Sequence, residues 1–227
     1  MGPGDAPPLS AFTPVERRLI ERLRTPLAVQ QFLNALAYNM EPPPGRATLR
    51  SFRGVVRHHT AHCLEAALSA AVILEQHGFP PLVISFESID QLDHVIFVYR
   101  RNGRWGAVAR SRDPGLHGRK PAFASPRALA LSYVDPYVDF TGGVTGYALV
   151  DLRTLGDYDW RLSDRNVWKV ERMLLDFPHR RIRTSTERID RLRRRYVEYR
   201  RQFGRKPIYY RRRDRWTPVA EESLRKC

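Results

Sequence analysis

Thr60-Ala61-His62-Cys63-Leu64-Glu65-Ala66-Ala67 opens the stretch whose reading decides the fold, and the run continues to Gln76 with no helix breaker. Thr60 is a good N-cap, and Gly78 followed by Pro80-Pro81 supplies a stop. The pattern predicts a helix over 61–76 with Cys63 as its third residue. Its sulfur then lies in the first turn, near the positive end of the helix dipole, where thiolate is favoured over thiol.

Downstream of that helix the periodicity changes. Leu82 to Glu87 reads as a strand, Ser88 to Asp93 as a loop, and His94 to Arg100 as a second strand ending at Asn102-Gly103. An Asn-Gly pair between alternating runs is a hairpin signal, so Trp105 to Ser111 is expected to return antiparallel. A two-residue turn sets Arg101 opposite Arg104 and His94 opposite Ser111. Because side chains alternate, Asp113 shares the face of Ser111 and His94, while Arg112 points the other way, opposite Asp93. That face also carries Ile96, Val98, Ala107 and Ala109, a shallow apolar surface on which the alanine-rich Cys63 helix is expected to pack.

Working outward, Thr13-Pro14-Val15-Glu16 combines an N-cap, a Pro at the first helical position and a capping-box Glu, which predicts a helix to about Arg24. Thr25-Pro26 repeats the cap for a second helix reaching Tyr38, and Glu41-Pro42-Pro43-Pro44-Gly45 ends the pair as a stiff turn. The segment from Leu49 to His59 gives only a weak local signal. Beyond Pro114, Ser125-Pro126 caps a helix to about Tyr133, Gly146 to Leu152 reads as a strand, and Ser163 caps a helix through about Leu175. These last two are expected at the back of the domain. Thr184 with Glu187 forms another capping box, and Ile189, Leu192, Tyr196, Tyr199 and Phe203 follow at helical spacing. The tail Tyr209-Tyr210-Arg211-Arg212-Arg213 reads as loosely structured.

The expected organisation is a disordered lead at 1–12, an α+β domain at 13–177 that includes the N-terminal helices, and a basic helical extension at 178–227. A chain of 227 residues with 42% hydrophobic content is large enough to bury a core. The net charge of +15 is concentrated at one end. From Trp160 onward there are 22 Lys+Arg against 9 Asp+Glu, leaving 17 against 15 before it. The positive charge therefore belongs to the C-terminal third, where it suits an acidic partner, nucleic acid or solubility. Two cysteines, Cys63 and Cys227, give no disulfide framework and fit a reducing compartment. With no signal-peptide pattern and no membrane-length apolar run, the expectation is a soluble, cytoplasmic protein.

A cysteine in a helix's first turn, a histidine on a neighbouring strand and a carboxylate beside the imidazole are the parts of a thiol acyl-transfer site. Cys63 would be the nucleophile, His94 the base and Asp113 the group that orients the ring. The backbone N–H of Cys63 would contribute to an oxyanion hole. Residues from about Arg57 to Asp113 resemble the core of the transglutaminase-like branch of the papain-like cysteine protease superfamily. The match rests on Cys63 opening an alanine-rich helix that ends at Gly78, Asp93-His94-Val95 entering a strand, and Trp105 starting the next strand ahead of Asp113. The whole chain is also similar to a group of bacterial proteins with this core. The resemblance implies an antiparallel sheet packed against a Cys-bearing helix and an acyl-transfer site, but no substrate; the thiol chemistry suits an amide or ester, and no cofactor is expected. Inactive members of the superfamily serve as binding or scaffold modules, so the alternative is a module using its basic C-terminal third to bind an acidic partner or nucleic acid.

Three groups support other readings. His58, His59, His62 and Cys63 are potential metal ligands, but a closed site needs four ligands and no second Cys/His pair stands at a suitable distance. His62 is more readily a neighbour that stabilises the thiolate. The arginine-rich helix at 184–203 suits phosphate contacts, yet its single apolar seam favours docking on the domain with a solvated basic face. Trp105, Trp160, Trp168 and Tyr133 read as core or supporting aromatics before cleft residues.

Overall fold

The computed structural model describes residues 4–41, 47–91, 93–205 and 213–218. Helix α1 (Pro14–Arg22) starts on the Thr13 capping box. The Thr13 hydroxyl accepts from the Glu16 N–H at 3.3 Å, and the Glu16 carboxylate accepts from the Thr13 N–H at 2.7 Å. Ahead of it, Leu9–Ala11 forms a 3-10 turn, and Phe12 is buried edge-on to Phe52 at 6.1 Å. Helix α2 (Pro26–Ala35) is capped by Thr25, as read, but stops before Tyr38 because Leu36 turns extended and Ala37–Tyr38 forms a short strand, β1.

The weakly patterned segment from Leu49 to His59 holds a helix that the sequence did not announce. Helix α3 (Phe52–His58) is capped by the Ser51 hydroxyl and ends on His59, which is left-handed at φ 54°. Thr60–Ala61 is then strand β2, parallel to β1. This overturns the expected Thr60 cap. The Thr60 hydroxyl accepts instead from the Arg50 guanidinium at 2.6 Å, and His62 is the N-cap of helix α4 (Cys63–Glu75). Cys63 is therefore its first residue, and Glu65 accepts the His62 N–H at 3.0 Å. The helix closes as expected: Gly78 is left-handed at φ 83°, and the Phe79 N–H returns to the Leu74 carbonyl at 3.1 Å.

The remaining elements are β3 (Leu82–Ser88), β4 (His94–Arg101), β5 (Arg104–Val108), β6 (Arg119–Phe123), α5 (Pro126–Tyr137), β7 (Val144–Asp151), α6 (Trp168–Asp176), β8 (Arg180–Arg181) and α7 (Thr186–Phe203). The main sheet runs β6-β5-β4-β3-β7-β8 with every neighbouring pair antiparallel. The fold is thus α+β, an antiparallel sheet packed against the Cys-bearing helix. The hairpin has the expected register, with Arg101 opposite Arg104 and both Asn102 and Gly103 at positive φ. Its return strand ends early, at Val108, for a visible reason. The buried Gln30 side chain accepts from the Ala109 N–H at 3.0 Å and donates to the Ala109 carbonyl at 2.8 Å. A side-chain amide thereby substitutes for a strand neighbour. Strand β7, expected at the back of the domain, pairs with β3 inside the sheet.

The two faces are covered by different helices, which corrects the expected packing. Helix α4 lies with Val83, Val95, Phe97, Tyr99 and Val108 in one core. Ile96, Val98, Ala107 and Ala109, expected to receive α4, form the second core with Leu129, Ala130 and Tyr133 of α5. Alternation fixed which residues share a face; the larger α5 side chains fill the shallow surface that the two alanines leave.

Two further caps shift. Ser163 sits in a turn, accepting the Arg165 N–H, and α6 starts five residues later, with Val167 anchored to the Leu49 carbonyl at 2.7 Å. Ser185, not Thr184, caps α7 by accepting from the Arg188 N–H. Leu192 and Tyr196 of its seam are buried, Tyr196 meeting Phe140 edge-on at 4.9 Å, and Arg188 pairs with Asp135 at 2.5 Å. The helix is docked beside the α5–β7 turn.

At the other edge, Arg119 is fully buried, its guanidinium 3.9 Å from the Tyr133 ring centroid and 3.3 Å from that of Trp216. It donates to the carbonyls of Gly115 at 2.9 Å and His117 at 2.5 Å. No helix among the described residues is long and apolar enough to cross a membrane. The turn at 42–45, the tail at 209–212 and Cys227 lie outside the described residues.

Candidate functional site

The end of the sheet where β4 begins is where the two faces meet. Helix α4 brings Cys63 from one side at its first residue, and β4 brings His94 from the other at its first residue. His94 is buried among aromatics, nearly parallel to Phe86 with centroids 6.2 Å apart, and 6.2 Å from Tyr133. Its Nε2 lies 3.0 Å from the Leu116 carbonyl. With Nε2 so occupied, Nδ1 is the ring nitrogen left for Cys63, which lines the same cavity.

Cys63 is partly exposed. Burial pushes its thiol up, but hydrogen bonds from the His62 and His94 rings, and the charges on both, bring it from 9.0 down to about 5. His62 answers in the opposite sense. Burial lowers it, yet its hydrogen bond to the thiol, the thiolate charge, the Glu65 carboxylate and the Thr48 carbonyl raise it from 6.5 to about 9. His62 Nε2 lies 2.9 Å from the Thr48 oxygen and 3.7 Å from Glu65. Near neutral pH the pair is thiolate and imidazolium.

Asp113 stands in the same cavity, immediately before the 3-10 turn Pro114–Leu116. Its N–H donates to the Ser111 hydroxyl at 3.0 Å, and its carboxylate is 3.9 Å from the Arg112 guanidinium. The acceptor on His94 Nε2 is the Leu116 carbonyl, at the far end of that turn. The sequence held no signal for a backbone acceptor. Tyr38 was also missed: β1 aligns it with Ala61, next to His62 and Cys63 in the chain, and it lines the same cavity. Burial and the neighbouring sulfur charge push the phenol's pKa up, so it is a neutral O–H.

Cys63, His94, Asp113, Tyr38 and His62 line one cavity of about 470 Å³, with Trp168 and Leu175 of α6 at its wall. The histidine cluster read from the sequence is divided. His58 and His59 are exposed at the end of α3, and only His62 reaches the cavity. Among the described residues no group of three or more His, Cys, Asp or Glu is placed to hold a metal. Of the aromatics, Trp160 and Tyr133 are fully buried, Trp105 packs against the α5 core, and Trp168 reaches the cavity.

No protein-family profile matches the chain, and no curated protein matches its sequence. Solved structures of Legionella pneumophila LapG are similar to it at a TM-score of 0.38 and 14% identity, covering 66% of this chain and 90% of that one. For the calcium-bound form the TM-score is 0.38 and the identity 15%, covering 73% and 94%. What fold and site define by themselves is an α+β protein with a partly exposed, double-imidazole-flanked thiol at a helix start.

Proposed function

We propose that the protein is a cysteine-dependent acyl-transfer enzyme of transglutaminase-like type, acting on an amide or ester through a thioester on Cys63. The observation that carries this reading is a partly exposed cysteine at the first residue of α4 that shares one cavity with the imidazoles of His62 and His94, both of which favour its thiolate. The thiolate attacks the substrate carbonyl carbon, and the carbonyl electron pair moves onto oxygen. His94 takes the Cys63 thiol proton at Nδ1, and the leaving amine or alkoxide takes that proton from the ring as the C–N or C–O bond breaks. Water or an acceptor amine then gives its proton to His94 and displaces sulfur. Asp113 and the turn it begins hold the ring in place. The Tyr38 hydroxyl, a neutral O–H lining the same cavity, would donate to the negative charge that develops on oxygen.

Activity-based labelling tests this. A fluorescent acyloxymethyl ketone or vinyl sulfone is expected to label the protein at Cys63, with labelling abolished in Cys63→Ala and reduced at least 100-fold in rate in His94→Ala. Ordinary thiol reactivity in the native protein, unchanged by His94→Ala, would remove the enzyme reading.

A further inference from the structure

The cavity at Cys63 runs against the charge of the chain that contains it. The protein carries +15 overall, yet among the described residues the cavity wall presents six carboxylates, Glu41, Asp90, Asp93, Asp113, Asp139 and Glu171, against one guanidinium, Arg112. The reactive pair adds nothing to the balance near neutral pH, because the Cys63 thiolate and the His62 imidazolium cancel.

Backbone N–H groups and hydroxyls orient several of these acids, and Asp113 has the Arg112 guanidinium 3.9 Å away. Glu41 accepts the Thr48 N–H at 2.8 Å, and Asp139 accepts the N–H groups of Thr141 and Gly142 at 3.0 and 2.7 Å. Asp90 accepts the hydroxyls of Ser88 and Thr141, each at 2.9 Å. Asp93 accepts the Ser88 N–H at 3.0 Å, and burial pushes its carboxyl up. Glu171 is exposed on α6, on the same wall as Trp168 and Leu175. These acids come from the 37–48 segment, the β3–β4 loop, the end of α5 and α6. They line the Cys63 cavity from several elements and are not one run of sequence.

A cleft with low-dielectric walls and charge of one sign concentrates ligands of the opposite sign. We infer that the acyl substrate of this site is a cationic polypeptide segment, with Lys or Arg side chains flanking the reacting carbonyl and apolar side chains against Trp168 and Leu175. The inference rests on the acyl-transfer reading and deepens it to a substrate class.

Charged thiol probes test it with no knowledge of the substrate. In a Cys227→Ser background, Cys63 is treated with trimethylammonioethyl, sulfonatoethyl and neutral methyl methanethiosulfonates. In each the thiolate attacks the sulfenyl sulfur, a disulfide forms and methanesulfinate leaves. The cationic reagent is expected to outpace the anionic one by tenfold or more beyond their ratio on a free small thiol. That excess should shrink in 0.5 M salt and in Asp90→Asn, Asp139→Asn and Glu171→Gln. A ratio equal to that of the free thiol, or an anionic preference, overturns the proposal. A slow reaction with the neutral reagent, of ordinary pH dependence, instead counts against the acyl-transfer reading. In that case Cys63→Ala protein decides the charge question by calorimetry. A short acetylated Lys-Ala-Lys amide is expected to bind at least tenfold tighter than its Glu-Ala-Glu counterpart, and equal binding overturns the proposal.

Discussion

His94 Nε2 lies 3.0 Å from the Leu116 carbonyl oxygen, and because a carbonyl can only accept, that nitrogen carries the proton. The neutral ring therefore keeps its lone pair on Nδ1, the nitrogen that can take the Cys63 thiol proton. The orienting oxygen belongs to a one-turn 3-10 segment, so the tautomer depends on where that backbone lies.

Gly115, in the middle of the turn, tests this dependence. A Cβ there would stand 2.7 Å from the Pro136 side chain, too close for either to stay put. Gly115→Ala is expected to displace the Leu116 carbonyl and lower the rate of Cys63 alkylation by about tenfold, in line with mispositioning a catalytic group. Circular dichroism should show the fold retained. Unchanged alkylation kinetics would show that the turn does not set the ring.

The thiol itself should titrate far below an ordinary cysteine. Iodoacetamide alkylation of Cys63 is expected to rise with pH around 5 and level off well before 9.0, the ordinary value. His62→Gln removes the first-named hydrogen bond and one positive charge. It should move that midpoint upward by about one to two units, the range for loss of one close opposite charge. Mass spectrometry at a series of pH values reads both.

The same pair makes stability depend on pH, and the two groups act in opposite directions. Cys63 has a depressed folded value, so its contribution is full above 9.0 and is lost as pH falls through about 5. His62 has a raised folded value, so its contribution is full below 6.5 and is lost as pH rises through about 9. Together they give stability that climbs from pH 5 to 6.5 and then stays level to pH 9. The Tm difference between the native protein and Cys63→Ser is expected to follow that shape. A difference independent of pH would mean that the ion pair does not form.

What could be read from the sequence follows the range of the interactions. The Asn102-Gly103 hairpin and the Thr13, Thr25 and Ser125 caps depend on neighbours a few residues away, and each appears where read. Alternation told which residues share a face with His94, but nothing local says which helix covers that face. Two alanines on a strand invite a close helix or a large side chain equally, and Tyr133 of α5 supplied the latter. Helix α3 was hidden because Arg57, His58 and His59 blur its amphipathic pattern, and its discovery moved the cap of α4 from Thr60 to His62. Cys63 and His94 line one cavity because each stands at the start of its element, although α4 does not pack on the face that carries His94, where it was expected. The roles of Tyr38, Gln30 and the Leu116 carbonyl depend on contacts between distant segments and left no local trace.

Arg119 ties the far end of the chain to this site. Its guanidinium lies between the Tyr133 and Trp216 rings while donating to the carbonyls of Gly115 and His117, the residues on either side of Leu116. Trp216 is held in turn, since Thr217 donates its N–H to the Gly118 carbonyl at 3.3 Å and the Pro218 carbonyl accepts from Asn34 at 2.8 Å. Trp216→Ala removes a buried ring and one face of the cation–π stack, and should cost about 3 kcal/mol in urea unfolding. The guanidinium then gains room to move, and with it the carbonyls that bracket Leu116. The folded fraction of Trp216→Ala is therefore expected to alkylate at Cys63 several times more slowly than the native protein at pH 7. Loss of stability with full thiol reactivity would confine the clamp to a structural role. Loss of both would make residues 213–218 part of what holds His94 in register with the sulfur.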